Sequence, residues 1–311
     1  MIDKADNELK LASNALKNRI LEINKIIDEY EYEYKGVTDV NCNSDGRIWI
    51  EVGGEKFDTD IIFEKEKRMS IARLLAGENN KIVDYEHPEF SIAYPGINGS
   101  RIQITIPPVV SAATFDIRLP PTKTFTMQEF VEMETITEEQ RDFLLDAIDQ
   151  DKNILVAGAT GSGKTTLART LINQINDNDR LIIIQDTPEI ISDIPNKDYL
   201  FTSESFTLQD AVRLSLRKNP DKIIVGEIRS GDVAVEVISA FSSGHSGIST
   251  VHASSAQKAL DRIAKLQKQV ILTPDEDEIK EVINVVIFMK KEYIGNTSIR
   301  KVKEILHTSV L

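Results

Sequence analysis

The feature that most constrains this chain is the segment NILVAGATGSGKTTLARTLI, residues 153–172. An apolar run leads into Gly158–Thr165, which has the spacing G-x-x-x-x-G-K-[ST], and a stretch with helical periodicity follows. Three glycines let a backbone wrap closely around phosphate oxygens, and the first turn of a helix offers unpaired N–H groups and partial positive charge. A strand, a phosphate-binding loop and a helix in this order predict a P-loop in an α/β domain.

The loop also predicts the role of individual side chains. Lys164 is expected to reach the β- and γ-phosphates, and the hydroxyl of Thr165 is expected to ligate Mg²⁺. Several hydrogen bonds to charged oxygens, each worth about 1.5–3 kcal/mol, suffice for tight nucleotide binding. The predicted nucleotide-binding residues are Gly158, Ala159, Thr160, Gly161, Ser162, Gly163, Lys164 and Thr165.

Acidic residues follow two further apolar runs. Hydrolysis requires a carboxylate that orients water and helps to hold Mg²⁺. The run at 181–185 precedes Asp186 and Glu189, and the run at 222–226 precedes Glu227. We expect Glu227 to polarise the attacking water and to reach Mg²⁺ through water, and Glu189, ahead of Asp186, to position water or Mg²⁺. Each carboxylate could instead cap a helix or lie in a solvated turn.

The chain of 311 residues is long enough for two domains. Residues 1–121 mix helical and strand patterns and predict a smaller α+β domain, which includes an N-terminal helix at 4–34. A polar linker with a short helix is expected at 122–136. Apolar runs alternate with helical patterns over 137–311, which predicts an α/β domain with a parallel sheet. Further expected elements are a hairpin at Gly53-Gly54, a helix at 67–78, strands at 101–110 and 114–121, a capping box from Thr137 to Gln140, and a terminal hairpin around Gly295-Asn296.

Composition narrows the possible partners. The formal net charge is −13 and the pI about 4.9, without a dense run of Lys or Arg, so stable nucleic-acid binding is not expected. The single cysteine, Cys42, permits no intrachain disulfide and no cysteine-based zinc site. The start MIDKADNELK lacks an apolar signal core, and apolar runs such as 282–289 fall far short of the ~20 residues of a membrane helix. The sequence thus predicts a protein that is soluble or is bound to a membrane only through partners.

Four segments together resemble the secretion, or traffic, ATPases of type II and type IV secretion, conjugation and type IV pili. They are GATGSGKTT, QDTPEI, RLSLRKNPDKIIVGEIRSGDV and SSGHSGISTVHASSAQKALDRI. TDVNCNSDGRIWIE, GSRIQITIPPVV and TFDIRLPPTKTFTMQEF are similar to the N-terminal domain of the type IV secretion and conjugative-transfer branch. The resemblance implies a homohexameric ring of subunits with an N-terminal domain and a RecA-like ATPase domain.

The resemblance also implies roles for single residues. Gly158 to Thr166 match the Walker A motif, so Thr166 joins the nucleotide-binding set. Asp186 and Glu189 fall in an acidic box, Glu227 in a Walker B-like motif and His252 in a histidine box. Arg101 and Arg118 match N-terminal-domain arginines that approach the phosphates, although either could form an ordinary ion pair. Relatives usually carry Glu where this chain has Gln185, which leaves no predicted catalytic role for that position.

The implied activity is Mg-ATP hydrolysis by a motor on the cytoplasmic side of the inner membrane, where it energises membrane-embedded secretion or conjugation machinery. A pilus or type II secretion motor is the nearest alternative. A DNA-translocating ATPase and a nucleotide-binding scaffold without turnover are the alternatives from other classes.

The histidine box predicts a sensor. Residues 247–253 are expected to form the core strand next to 222–226, so His252 would emerge beside the phosphates. We expect His252 to report the γ-phosphate, directly or through Glu227; the alternative is a core histidine satisfied by backbone. His245 is expected in a loop. Structural or subunit-contact roles are expected for Arg213, Arg217 and Arg229.

Overall fold

The computed structural model of the protein describes residues 22–29, 36–52, 55–94, 100–120, 124–203, 205–294 and 297–308. The chain divides into two compact units, Met1–Lys123 and Thr124–Leu311. The division falls inside the predicted linker. Residues from Thr124 onward pack with the second unit, where Met127, Phe130 and Ile136 are buried.

The first unit is built on a six-stranded antiparallel sheet with the order β3-β2-β1-β6-β5-β4. Its buried face packs with helical residues 22–29, here α1, and with α2 in one hydrophobic core. The elements are β1 Val37–Cys42, β2 Arg47–Val52, β3 Glu55–Ile62, α2 Lys65–Glu78, β4 Glu89–Tyr94, β5 Ser100–Thr105 and β6 Thr114–Arg118.

Most predicted elements of this unit are present. Strands β2 and β3 pair antiparallel on either side of Gly53-Gly54, which themselves lie outside the described residues. Of the helix predicted at 4–34, residues 22–29 are helical and the rest lies outside the described part. Strands β5 and β6 end earlier than predicted, before Pro107 and Pro120, because proline lacks the N–H that would continue the ladder.

The second unit is a seven-stranded sheet with the order β13-β12-β7-β11-β10-β8-β9. All neighbouring strands are parallel except the pair β12 and β13, which forms the predicted terminal hairpin. The strands are β7 Ile154–Gly158, β8 Leu181–Gln185, β9 Lys197–Phe201, β10 Lys222–Val225, β11 Ser246–Val251, β12 Val285–Ile294 and β13 Thr297–His307.

Helices cover both faces of this sheet, as a parallel sheet requires. Apolar side chains of α3, α4 and α5 pack against one face, and those of α6 to α9 pack against the other. The helices are α3 Met127–Glu132, α4 Glu138–Asp149, α5 Lys164–Ile172, α6 Leu208–Ser215, α7 Gly231–Ser242, α8 Ala256–Gln267 and α9 Glu276–Val282. The predicted capping box is present, with Thr137 accepting from the N–H of Gln140 and the Gln140 side chain accepting from the N–H of Thr137.

The predicted α/β fold is therefore confirmed, and its strand order places the functional motifs. β7, β11, β10 and β8 are successive neighbours, and the chain segments that follow them carry the P-loop, His252, Glu227 and Asp186, respectively. Because the carboxyl ends of parallel strands meet at one edge, these residues come together there.

Candidate nucleotide site

The P-loop joins the end of β7 to the start of α5. Gly161 and Gly163 have φ angles of 71° and 93°, in the left-handed region that glycine adopts without strain. A Cβ on Gly158 would lie 2.5 Å from the Met289 carbonyl oxygen and 2.5 Å from Ser162 Oγ, so no side chain fits there. The first N–H groups of α5 have no intrahelical partner and face the loop end of the helix. This backbone forms a cradle suited to an anion.

Lys164 occupies the base of this cradle. Its ammonium donates to the carbonyl oxygen of Ala159 at 3.0 Å, and its side chain is largely buried. Burial lowers the pKa of Lys164, while the nearby carboxylates of Glu227 and Glu189 oppose that shift and the Arg229 guanidinium adds to it. The cation therefore lies in a partly desolvated place, where a phosphate charge would interact with it strongly.

His252 follows β11 directly and joins the loop to Glu227. Its Nε2 lies 3.0 Å from Glu227 Oε1. Its Nδ1 lies 3.4 Å from Lys164 Nζ and 3.2 Å from the carbonyl oxygen of Gly158. When Nε2 carries the proton and donates to the carboxylate, Nδ1 is left to accept from Lys164. One imidazole thus contacts the Walker lysine, the end of β7 and the candidate catalytic carboxylate.

Glu227 is held on a second side by Arg229. Glu227 Oε2 lies 3.0 Å from a guanidinium nitrogen of Arg229, whose other terminal nitrogen donates to Asp186 Oδ2 at 2.7 Å. Burial alone would lower the pKa of Arg229, but the Glu227 and Asp186 carboxylates outweigh burial and raise it. Arg229 was expected to be structural, and its contacts fix the two acidic side chains relative to each other.

The segment after β8 is supported by Gln185. Its side chain is buried, its amide donates to the Ile190 carbonyl oxygen at 3.1 Å, and its oxygen accepts from the Ile190 N–H at 2.8 Å. A glutamate at position 185 would lack the amide donor, so Gln185 suits a supporting role. The supported segment contains Asp186 and Glu189, and the Glu189 carboxylate is close enough to affect the pKa of Lys164.

The remaining predicted site residues lie in two places. Thr165 and Thr166 occupy the first turn of α5, directly after Lys164. Arg101 and Arg118 belong to the first unit, where they stand opposite each other on β5 and β6. Arg118 pairs with Asp39 at 3.2 Å, and Arg101 donates to the Ser91 hydroxyl at 3.1 Å. Their role at the phosphates stays a prediction.

Two histidines of one segment are separated by the fold. His245 lies just before β11, with its Nδ1 3.2 Å from the Ser243 hydroxyl, whereas His252 lies after β11 in the site. The loop position predicted for His245 is confirmed.

Arg300 contacts the P-loop, although no sequence motif predicted it as a site residue. This residue of β13 donates through Nε to the carbonyl oxygen of Gly161 at 3.1 Å. The hairpin that carries it was predicted, but nothing in the sequence pattern indicated that its second strand would reach the P-loop.

A nucleotide and Mg²⁺ both suit this set of residues. Ser162 Oγ is buried beside Gly158 and has no hydrogen-bond partner in the structure, so the loop retains unused polar capacity. In the described part of the chain, no group of three or more His, Cys, Asp and Glu side chains could hold a metal ion. Mg²⁺ commonly keeps several waters and binds one or two protein oxygens together with substrate phosphates. The hydroxyl of Thr165 and the nearby carboxylates would supply such protein oxygens.

Comparisons with known proteins identify the family. The family described as "Type II/IV secretion system protein" matches residues 63–291. The conjugal transfer protein TrbB of Rhizobium radiobacter is 31% identical over 275 residues, which cover 87% of this chain and 83% of the relative. The type IV secretion system protein VirB11 of Bartonella quintana is 33% identical over 246 residues. The match covers 66% of this chain and 68% of the relative.

A solved structure agrees on the fold. The ATPase DotB of Legionella pneumophila superimposes with a TM-score of 0.65 at 18% identity, over 93% of this chain and 81% of that one. None of the helices among the described residues is both long and apolar enough to span a membrane. The chain belongs to the type II/IV secretion system protein family and, within it, to the ATPases of type IV secretion and conjugal transfer.

Proposed function

We propose that this chain hydrolyses ATP with Mg²⁺ at the P-loop and that it powers a type IV secretion or conjugal transfer machine. The continuous set of contacts from Lys164 through His252 to Glu227 carries the proposal. A scaffold that only binds nucleotide needs the cradle but has no need of a carboxylate joined to it. The names of the relatives, a conjugal transfer protein and a type IV secretion system protein, support this machine over a pilus or type II secretion motor.

The loop residues bind and orient the phosphates in this proposal. Backbone N–H groups from Gly158 to Thr166 surround them, and the buried ammonium of Lys164 contributes positive charge. The Thr165 hydroxyl, with Glu227 through water, would hold Mg²⁺. When bound, Mg²⁺ would neutralise charge that develops on the phosphate oxygens.

Glu227 is the proposed carboxylate that orients the attacking water. Contacts with His252 and Arg229 fix both of its oxygens, and a carboxylate retains further lone pairs with which to accept from water. A fixed orientation matters because a small misplacement of a catalytic group can slow a reaction by orders of magnitude. Glu189 is assigned to positioning water or the metal ion, because its charge acts on Lys164. Asp186 is assigned to holding Arg229.

His252 is the proposed sensor of the γ-phosphate, and it acts through Glu227. A phosphate that draws Lys164 toward it would take the donor away from His252 Nδ1. Without that contact the imidazole would reorient and carry with it Glu227, which accepts from its Nε2–H. Binding would thereby change the position of the catalytic carboxylate, which is the differential interaction that a motor requires.

The motor is proposed to be a homohexamer that docks, at the cytoplasmic side of the inner membrane, on membrane-embedded machinery. Family membership supports the ring. Arg101 and Arg118 are proposed to approach the phosphates, because guanidinium groups stabilise charge on a transferring phosphoryl group.

Loss of the Walker lysine tests the hydrolase assignment. In Lys164→Ala, steady-state ATP hydrolysis should fall by about a hundredfold or more, because the charge at the base of the cradle is lost. Lys258→Ala is the matched control, since Lys258 pairs with Asp261 on the exposed side of α8. Phosphate release from both purified chains is the measurement. Full hydrolysis by Lys164→Ala would remove the P-loop as the site of turnover.

The two histidines of one segment test the sensor. His252→Ala should lower ATP turnover by about tenfold or more, while the Kd for ADP changes far less, because the imidazole acts on Glu227 more than on bound phosphate. His245→Ala should leave both quantities near wild type. Equal losses of binding and turnover in His252→Ala would instead make the imidazole a nucleotide-binding group.

The molar mass of the protein in solution tests the proposed hexameric ring. Light scattering with a non-hydrolysable ATP analogue and Mg²⁺ should show a hexamer of the 34.9 kDa subunit, because nucleotide binding stabilises whichever assembly binds it more tightly. A monomer in the presence and in the absence of the analogue would contradict the ring.

A further inference from the structure

The outer side of the P-loop is covered by a side chain from the other end of the domain. Arg300 Nε donates to the Gly161 carbonyl oxygen, and a Cβ on Gly163 would lie 3.2 Å from Arg300 Cδ. The arginine therefore bonds to the loop at Gly161 and lies close to it at Gly163. It is exposed, so it is not confined to this place by burial.

We propose that Arg300 is a positioning residue that holds the P-loop backbone in its phosphate-binding conformation. The proposal rests on the proposed function, because it concerns the same nucleotide site. A peptide unit directs its C=O and N–H to opposite sides, so a loop that binds an anion through N–H groups must turn carbonyl groups outward. Arg300 gives one of those outward carbonyl groups a charged donor.

Gly161 is the place where such a donor has most effect. Its φ of 71° and the open space around it leave glycine free to adopt other backbone conformations. The Ser162 N–H on the other side of the same peptide unit donates to the Ala159 carbonyl oxygen at 3.2 Å. Fixing the Gly161 carbonyl group thus also stabilises this hydrogen bond, which closes the turn of the loop.

The strand that carries Arg300 is well anchored. β13 pairs with β12 along the hairpin, and the Val302 N–H donates to the Thr135 carbonyl oxygen at 2.9 Å. β12 in turn pairs with β7, the strand that leads into the loop. The donor and the loop it contacts therefore belong to one sheet, and the donor can restrain the loop.

The positive charge of Arg300 does not help β12 and β13 to pair. Arg300 stands directly opposite Lys291 on β12, and like charges opposite each other destabilise a strand pair. Residues opposite each other on antiparallel strands share a face of the hairpin, and Arg300 reaches the P-loop from that face. A cation in contact with the loop raises the local potential for an anion, which agrees with a role in phosphate binding.

Binding of ADP to the full chain, followed by calorimetry, tests the proposal together with the kinetics of ATP hydrolysis. Arg300→Ala should raise the Kd for ADP and the KM for ATP by about tenfold, with a smaller change in kcat, because the loop is needed to hold phosphate in both states. Arg300→Lys should recover part of the loss through its charge. Lys303→Ala is the matched control, because Lys303 lies on the same strand and pairs with Glu292 instead of the loop.

The outcomes separate the two proposals. If wild type and Lys303→Ala bind ADP and Arg300→Ala binds it equally well, the role of Arg300 is overturned and the proposed function stands. If wild type does not bind ADP, the proposed function falls and this inference falls with it. Should the alanine variant not fold, ADP binding is measured instead with Arg300→Gln, which keeps a donor without the charge.

Discussion

The contact between His252 and Glu227 is the interaction on which the candidate site depends. It joins side chains that follow two neighbouring strands, β11 and β10, and it lies next to the lysine that follows β7. The three positions are far apart in sequence, and only the parallel arrangement of the strands brings them to one edge. The apolar β-strands, buried on both faces, thus serve the site by fixing where its polar residues emerge.

Charge and glycine content make this edge costly to form. Lys164 is buried to the extent that its pKa falls, and Arg229 is held between two carboxylates. Glycine in left-handed conformations gives up more chain entropy on folding than other residues do. These costs are typical of places where a protein keeps polar groups ready for a ligand. The large apolar cores on both faces of the sheet supply the stability that offsets them.

Much of this arrangement was predictable because it follows from local patterns. The P-loop, the apolar runs at β8 and β10 and the strand before His252 each carry a clear signal, and the rule for parallel strands brings their ends together. β9 was missed because its residues KDYLF are only half buried and include charges. The segment from Thr124 to Ile136 looked like a polar linker, yet a few of its apolar side chains are buried in the second unit.

Other features depend on tertiary contacts that no local pattern records. Arg300 reaches the loop because a long hairpin at the end of the chain pairs with β7. In the sequence, Gln185 is only a departure from a family pattern. Its two hydrogen bonds with Ile190 show that it supports the segment that follows β8. Arg229 lies two residues after Glu227 in sequence, but its bridge to Asp186 requires β8 and β10 to be neighbours.

We propose that the carboxylate of Glu227, held by His252 and Arg229, orients water for ATP hydrolysis at the P-loop. Turnover of saturating ATP by Glu227→Gln tests it most directly, because glutamine keeps the size of the side chain and removes its charge. Turnover is expected to fall by about a hundredfold or more while ATP still binds, since the P-loop and Lys164 are unchanged. Turnover at the wild-type rate would contradict it.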